Sequence, residues 1–550
     1  MRKLAPQAEA APDRDWWRGA VIYQIYPRSF QDSNGDGVGD LKGIIRRLPY
    51  VADLGADAIW ISPFFKSPMK DFGYDISDYR AIDPLFGTLE DFDAMIAKAH
   101  RLGLKVMVDG VISHTADIHP WFVESRSSRD NAKADWYVWA DAKPDGSPPN
   151  NWLSIFGGSA WQWDTRRLQY YLHNFLVEQP DLNFHNKDVQ DALLDVARFW
   201  MDRGVDGFRL DTINFYFHSQ GLEDNPALPP EQRNAQTAPA VNPYNYQDHI
   251  YDKSRPENLK FLERFRAVLD EYPAAATVGE VGDSQRGLEV VAAYTAGDDR
   301  VNMCYAFDFL GPDKLSADGV RKVLDDFGRV APDGWACWAL SNHDVVRHAS
   351  RWGAGEKDKL AYLKALSALL MSLRGSVCLY QGEELGLEEA DIAYEDLQDP
   401  YGKSMWPEFK GRDGCRTPMA WDQTSNGGFS SAKPWLPVSK AHIDKAASTQ
   451  EGVEGSLLEH YRRFIRFRRG HPAFAKGAIE FLTAQGDVIV FTRTHGNERI
   501  VCAFNLGAQP AQVTLDLGAV AALTGHGLAG EVDGATLKLN AYGAWFGRLA

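Results

Sequence analysis

Apolar and polar positions along this chain follow two alternating rhythms. Short apolar runs over 20–26, 58–61, 105–109, 205–210, 275–279, 301–309, 334–340 and 376–380 have the length of buried strands. Between them, 41–54, 89–102, 191–202, 259–270 and 357–373 carry apolar residues at helical spacing. Strands alternating with helices predict βα units around a parallel sheet, and eight of them predict a (β/α)8 barrel. After a further helix over 457–469 the period changes to two, as in Val488-Ile-Val-Phe-Thr492 and Ile500-Val-Cys-Ala-Phe504. Gly- and Asn-rich turns separate these segments, which reads as a terminal antiparallel β-sandwich.

Three stretches break the βα rhythm. Residues 114–184, rich in Trp, Pro and Gly, are far longer than a usual βα loop, a length that marks a functional insertion after the third strand. Residues 214–256 and 388–453 are irregular too. The expected organisation is a disordered tail over 1–15, a barrel from 16–113 and 185–472, an inserted domain over 114–184, and a sandwich over 473–550.

The chemistry gathers at strand ends. Gly207-Phe-Arg-Leu-Asp211 finishes a strand on a carboxylate, with Arg209 two residues earlier on the same side. Alone, Asp211 reads equally well as the cap of a following helix. The design recurs in Thr277-Val-Gly-Glu280, in Trp338-Ala-Leu-Ser-Asn-His343-Asp344, and in Val106-Met-Val-Asp109 with His114 close behind. Four independent caps explain this poorly, and carboxyl ends of strands are where a (β/α)8 barrel places catalytic groups.

Composition narrows the field. A formal charge of −16 argues against nucleic acid or an anionic membrane as partner. No run of 18 apolar residues occurs, so no membrane span is expected. The five Cys form no C-x-x-C pair, which argues against zinc or a disulfide framework. With no apolar leader at the N-terminus, the expected compartment is the cytoplasm. Between the first strand and helix, Asp32-Ser-Asn34-Gly-Asp36-Gly-Val38-Gly-Asp40 offers side-chain oxygens at alternate positions, a spacing that wraps a hard cation such as calcium. A Gly/Asp-rich turn without an ion is the alternative. The twelfth position is Gly43, so it is no EF-hand.

The four acid-bearing strand ends resemble, in order and residue type, the conserved regions of the α-amylase superfamily, glycoside hydrolase family 13. Gln179-Pro-Asp-Leu-Asn183, Gly73-Tyr-Asp-Ile-Ser-Asp-Tyr79 and Arg416-Thr-Pro-Met-Ala-Trp421 resemble its α-glucosidase and oligo-1,6-glucosidase branch. The resemblance implies Asp211 as nucleophile, Glu280 as acid and then base, and Asp344 as the third carboxylate steadying the transition state. It implies a small domain formed by 114–184 over the pocket, and sugar contacts from Asp71, Tyr74, His114, Phe156, Gln179, Arg209 and His343, and from Arg412, with Arg416 as the alternative. It also implies a structural calcium on the 32–40 loop, bound by Asp32, Asn34, Asp36 and Asp40 with the Val38 carbonyl, and no organic cofactor. In this branch Val after the nucleophile goes with α-1,6 cleavage and smaller or polar residues with α-1,4; here it is Thr212.

The expected activity is a retaining, exo-acting α-glucosidase cutting short substrates such as maltose, or sucrose, as a monomer or homodimer. A glucosyl-transferring or isomerising enzyme of the trehalose synthase or sucrose isomerase type, and an oligo-1,6-glucosidase, are the nearest alternatives. A non-catalytic barrel partner of a membrane transporter is disfavoured because all three acids are kept. Glu383 and Glu384, and His173 and His185, read as structural.

Overall fold

The computed structural model describes residues 13–515 and 517–550. The tail expected over 1–15 therefore falls mostly outside the described residues. Eight strands form one parallel sheet: β1 (Val21–Ile25), β2 (Ala58–Ile61), β3 (Lys105–Gly110), β4 (Gly207–Leu210), β5 (Ala276–Val281), β6 (Met303–Ala306), β7 (Cys337–Ala339) and β8 (Ser376–Tyr380). Their order is β6-β5-β4-β3-β2-β1-β8-β7. A parallel bridge between Cys304 and Ala336 joins the two ends, so the sheet closes into a barrel.

Strands buried on both faces need apolar residues throughout, and β1, Val-Ile-Tyr-Gln-Ile, is buried at every position. Alternate residues point inward. Ala20, Ile22, Ala58, Trp60, Met107, Val278, Met303, Tyr305, Cys337 and Cys378 fill the barrel's interior. The other set packs outward against helices such as Lys187–Asp202, which Asn186 caps through its side chain and which Gly204, at φ +92°, turns back towards β4.

Besides short helical turns, two longer helices lie where the apolar runs predicted no element, Gly287–Thr295 and Ala317–Val330. Within 114–184 three short strands form a separate antiparallel sheet, Trp139–Ala140, Gln169–Leu172 and Trp161–Asp164. The C-terminal region stacks a five-stranded antiparallel sheet on a three-stranded one, around Val490, Val501, Ala503, Leu537, Leu539 and Trp545. All five cysteines are buried and free. No helix among the described residues is long and apolar enough to cross a membrane.

Candidate active site

Strand register sets the site. Across β3 and β4, Asp109 pairs with Arg209; across β4 and β5, Gly279 pairs with Leu210. Glu280 is therefore level with Asp211, one step beyond the last pair, and each comes two residues after an inward-facing one, Val278 and Arg209. Glu280 lies within β5 rather than past its end.

Arg209 fills the barrel's axis below them. Its guanidinium meets Asp109 Oδ1 at 2.9 Å, Asp211 Oδ1 at 2.5 Å and Glu280 Oε2 at 2.5 Å, and donates to the Tyr305 hydroxyl at 2.8 Å. It also stands 4.7 Å from the Trp60 ring centroid, a cation–π contact. One cation thus serves three buried carboxylates. Burial raises Glu280 to about 7 against the pull of Arg209, with Asp211 and Asp344 adding to the rise. Burial likewise raises Asp211 to about 7, and Asp109 to about 6, although Arg209 opposes both. Arg209 alone does not keep Asp211 in the ordinary carboxylate range, because it is shared three ways.

Asp344 goes the other way. Burial works against its charge, but the Nε2–H of His343 and the charges of Arg416 and Arg412 hold it well below the usual carboxylate range. Arg416 reaches Asp344 Oδ1 at 2.7 Å and donates to the His343 carbonyl at 2.7 Å. Arg412 reaches Asp344 Oδ1 at 3.1 Å, Asp71 Oδ1 at 2.8 Å and Asp399 Oδ1 at 2.9 Å. Arg412, not Arg416, is thus the arginine beside Asp71. Gln179 donates to the other oxygen of Asp71 at 3.1 Å.

The histidines are neutral. Burial lowers His343 to about 3 and His114 to about 4. The Gln24 amide donates to His343 Nδ1 at 2.8 Å, leaving the proton on Nε2, which faces the Tyr74 hydroxyl at 2.5 Å and Asp344 Oδ2 at 3.2 Å. His114 Nε2 donates to the Tyr74 carbonyl at 2.9 Å. Tyr74 stacks on His343 with ring centroids 5.3 Å apart.

These groups surround a cavity of about 350 Å³, lined by Asp71, Tyr74, His114, Phe156, Asp211, Thr212, Glu280, Asp344 and Arg412. Gln179, Arg209, His343 and Arg416 stand behind that lining and hold it in place. The three irregular stretches meet over it. Asn242 donates to the Ile155 carbonyl at 2.7 Å and to the Tyr401 hydroxyl at 2.8 Å, and the Phe156 and Tyr401 rings lie 4.8 Å apart.

Gln24, Asp399, Tyr305, Trp60 and Tyr401 carry no role in the sequence reading. Asp399 had a local signal, since an Asp before Pro400 marks a helix start, and it does cap the helix Pro400–Met405. Its second partner, Arg412, has no such signal. His173 and His185 spend ring nitrogens on carbonyls, and Glu383 and Glu384 accept from tyrosine hydroxyls.

In the 32–40 loop the carboxylates face the loop's own backbone. Asp32 accepts from the N–H groups of Asn34, Gly35 and Gly37, Asp36 from that of Val38, and Asp40 from those of Ser33 and Gly43. Among the described residues no three His, Cys, Asp or Glu groups stand close enough to share a metal ion. The side chains and the Val38 carbonyl still offer the hard oxygen donors that calcium takes.

The family model described as alpha amylase, catalytic domain, matches residues 24–477, and that of the maltogenic amylase C-terminal domain matches 479–545. The chain is 69% identical over 539 residues to a probable alpha-glucosidase of Rhizobium meliloti (strain 1021), covering 98% of each. It is 39% identical over 530 residues to an oligo-1,6-glucosidase of Heyndrickxia coagulans, covering 90% of this chain and 92% of that one. Its structure is similar to that of an alpha-glucosyl transfer enzyme, XgtA, with a TM-score of 0.95 at 55% identity, covering 98% and 100% of the chains. The trehalulose synthase MutB from Pseudomonas mesoacidophila MX-45 gives a TM-score of 0.86 at 33% identity, covering 97% and 99%. A closed parallel barrel with acids at its strand ends, matched along most of its length by that catalytic-domain model, places this chain in the α-amylase family of glycoside hydrolases, in the branch of the α-glucosidases and oligo-1,6-glucosidases.

Proposed function

We propose that this enzyme is a retaining, exo-acting α-glucosidase that removes glucose from the non-reducing end of short α-1,4-linked substrates such as maltose. The level placement of Asp211 and Glu280 on one guanidinium carries the reading. Carboxylates bonded to neighbouring nitrogens of one arginine fit the ~5 Å spacing of a retaining pair, not the ~6.5–9.5 Å gap that admits a water in an inverting one. Asp211 attacks the anomeric carbon as Glu280 gives its proton to the departing oxygen. Water, deprotonated by Glu280, then attacks the glucosyl ester and frees Asp211. Asp344, ionised, stabilises the positive charge that develops on the ring. Asp71 and Arg412 receive the terminal hydroxyls, and the convergence of three insertions over the cavity supports attack at a chain end.

The test is glucose release from maltose, isomaltose, sucrose and trehalose by wild type and D211A, with the anomer followed by NMR. Release of α-glucose first, abolished in D211A, supports the reading; β-glucose first, or no release by wild type, overturns it. Transfer of glucose to a second sugar is the alternative that the likeness to an α-glucosyl transfer enzyme favours, and product analysis at high substrate concentration separates it. The same reading has the enzyme acting in the cytoplasm as a monomer or homodimer, which cell fractionation and light scattering check.

A structural calcium ion on Asp32, Asn34, Asp36, the Val38 carbonyl and Asp40 belongs to this proposal, supported by the type and count of oxygen donors. Calcium would hold the loop closed and takes no part in the chemistry. A melting temperature that rises with calcium and falls with chelator is expected; metal analysis finding no calcium, with chelator without effect, removes the ion.

A further inference from the structure

The hydrogen-bond ladder between β4 and β5 ends at Leu210 and Gly279, one residue short of the two carboxylates. Arg209 ties the two side chains together, but the backbone that carries Asp211 and Glu280 needs a further tie beyond the ladder to keep that spacing fixed. Asn214, three residues after Asp211 and fully buried, is placed to do it. Its Oδ1 accepts from the Gly282 N–H at 3.0 Å, and its Nδ2 donates to the Gly282 carbonyl at 3.2 Å. Gly282 lies two residues after Glu280. An amide gripping both backbone groups of one residue acts as an extra rung across the two strands, above the catalytic pair.

The rung is braced. The buried Lys253 ammonium donates to the same Gly282 carbonyl at 2.8 Å and to the Tyr244 hydroxyl at 2.9 Å. Asn214 Nδ2 also donates to Ser254 Oγ at 3.0 Å, which donates on to Asp283 Oδ2 at 2.8 Å. Between ladder and rung sits Thr212, at φ +40° and ψ +47°, a left-handed conformation that a β-branched residue adopts only when its surroundings impose it. That residue touches both acids: its N–H donates to Glu280 Oε2 at 3.3 Å and its hydroxyl to Asp211 Oδ2 at 3.3 Å. The ladder below and the rung above leave it no relaxed alternative.

We propose that Asn214 is a positioning residue that sets the spacing of Asp211 and Glu280, and so governs how well the acid protonates the leaving group. The proposal rests on the roles assigned to those two carboxylates above. Without the rung, the end of β5 moves against β4. Attack by Asp211 survives better than proton transfer, since proton transfer needs the donor oxygen within hydrogen-bond reach of the departing one.

The experiment compares kcat/KM for methyl α-glucoside, whose poor leaving group needs the proton, with α-glucosyl fluoride, whose good one needs little. N214A and N214D are measured with E280Q as the reference for a missing acid, and each variant's melting temperature is recorded. N214D keeps the shape and the acceptor for the Gly282 N–H but loses the donor to its carbonyl, and it decides the matter if N214A does not fold. The expected result is a loss of about 10²-fold on methyl α-glucoside, the scale of a ~1 Å misplacement, with less than about 10-fold on the fluoride. An equal loss on both substrates, or none on either, overturns the proposal while leaving the glucosidase reading intact. A wild type that turns over neither substrate overturns the reading beneath it.

Discussion

Arg412 and Asp71, 341 positions apart in the chain, meet at 2.8 Å in the lining of the cavity. The same guanidinium grips both oxygens of Asp399, so it is fixed before any sugar arrives. Arg412→Lys keeps the charge and loses the fork. KM for maltose is expected to rise about 10–100-fold with a smaller change in kcat, the signature of lost binding at a subsite away from the bond being cut. Steady-state kinetics check this, and a fall in kcat alone would place Arg412 in the chemical step instead.

The pH profile follows from the shared arginine. Activity needs Asp211 ionised and Glu280 protonated, and both titrate at about 7 as one interacting group with Asp109. Raising the pH towards 7 gains activity as Asp211 loses its proton; raising it further loses activity as Glu280 does. The profile of kcat/KM is expected to be a narrow bell centred near neutrality. A flat plateau from pH 5 to 9 would contradict the charge arrangement.

Thr212 lines the cavity and touches both acids, so its side chain bears on which linkage fits. Thr212→Val removes the hydroxyl and keeps the branch. Wild type is expected to prefer maltose over isomaltose. The variant is expected to shift that ratio about 10-fold or more towards isomaltose, the scale on which one or two contacts discriminate. Competition assays with both disaccharides measure it, and an unchanged ratio removes Thr212 from the specificity argument.

Behind the barrel, burial raises Glu383 to about 8 and also raises Glu384, with Tyr461, Tyr23 and Tyr50 as their hydroxyl partners. For a carboxyl raised on folding, stability is full below the unfolded pKa of ~4.3 and is lost as pH climbs to the folded value. Each such group costs about 1.4 kcal/mol per pH unit in that window. The melting temperature is expected to fall between pH 5 and 8 and to level off above it, with a shallower fall in Glu383→Gln. A melting temperature that rises over the same range would refute it.

Much of this was legible because period-two alternation puts Asp109, Arg209, Asp211 and Glu280 on the inner face of three neighbouring strands, and chain order puts Asp344 in the turn after a later one. Register supplied the rest, and register is a pairing between distant segments that no local pattern records. Asp399 illustrates the limit: its capping role is written in Asp-Pro, but its grip on Arg412 depends on how a loop folds back. The helix Ala317–Val330 does carry a local signal, Ser316 as cap and Val320, Leu324 and Phe327 at helical spacing, which attention to acid-bearing strand ends passes over. Gly287–Thr295, apolar on most of its surface, offers little periodic contrast to read.

The pairing of Gly279 with Leu210 makes the barrel wall itself the ruler for catalysis. A slip of one residue along that ladder would turn Glu280 away from the interior and end the reaction outright. The insertions meet one another over the cavity differently, through side-chain contacts such as those of Asn242. Heating is therefore expected to act in two stages: grip on the sugar weakens while the insertions loosen, and the bond-cutting step disappears only when the wall opens.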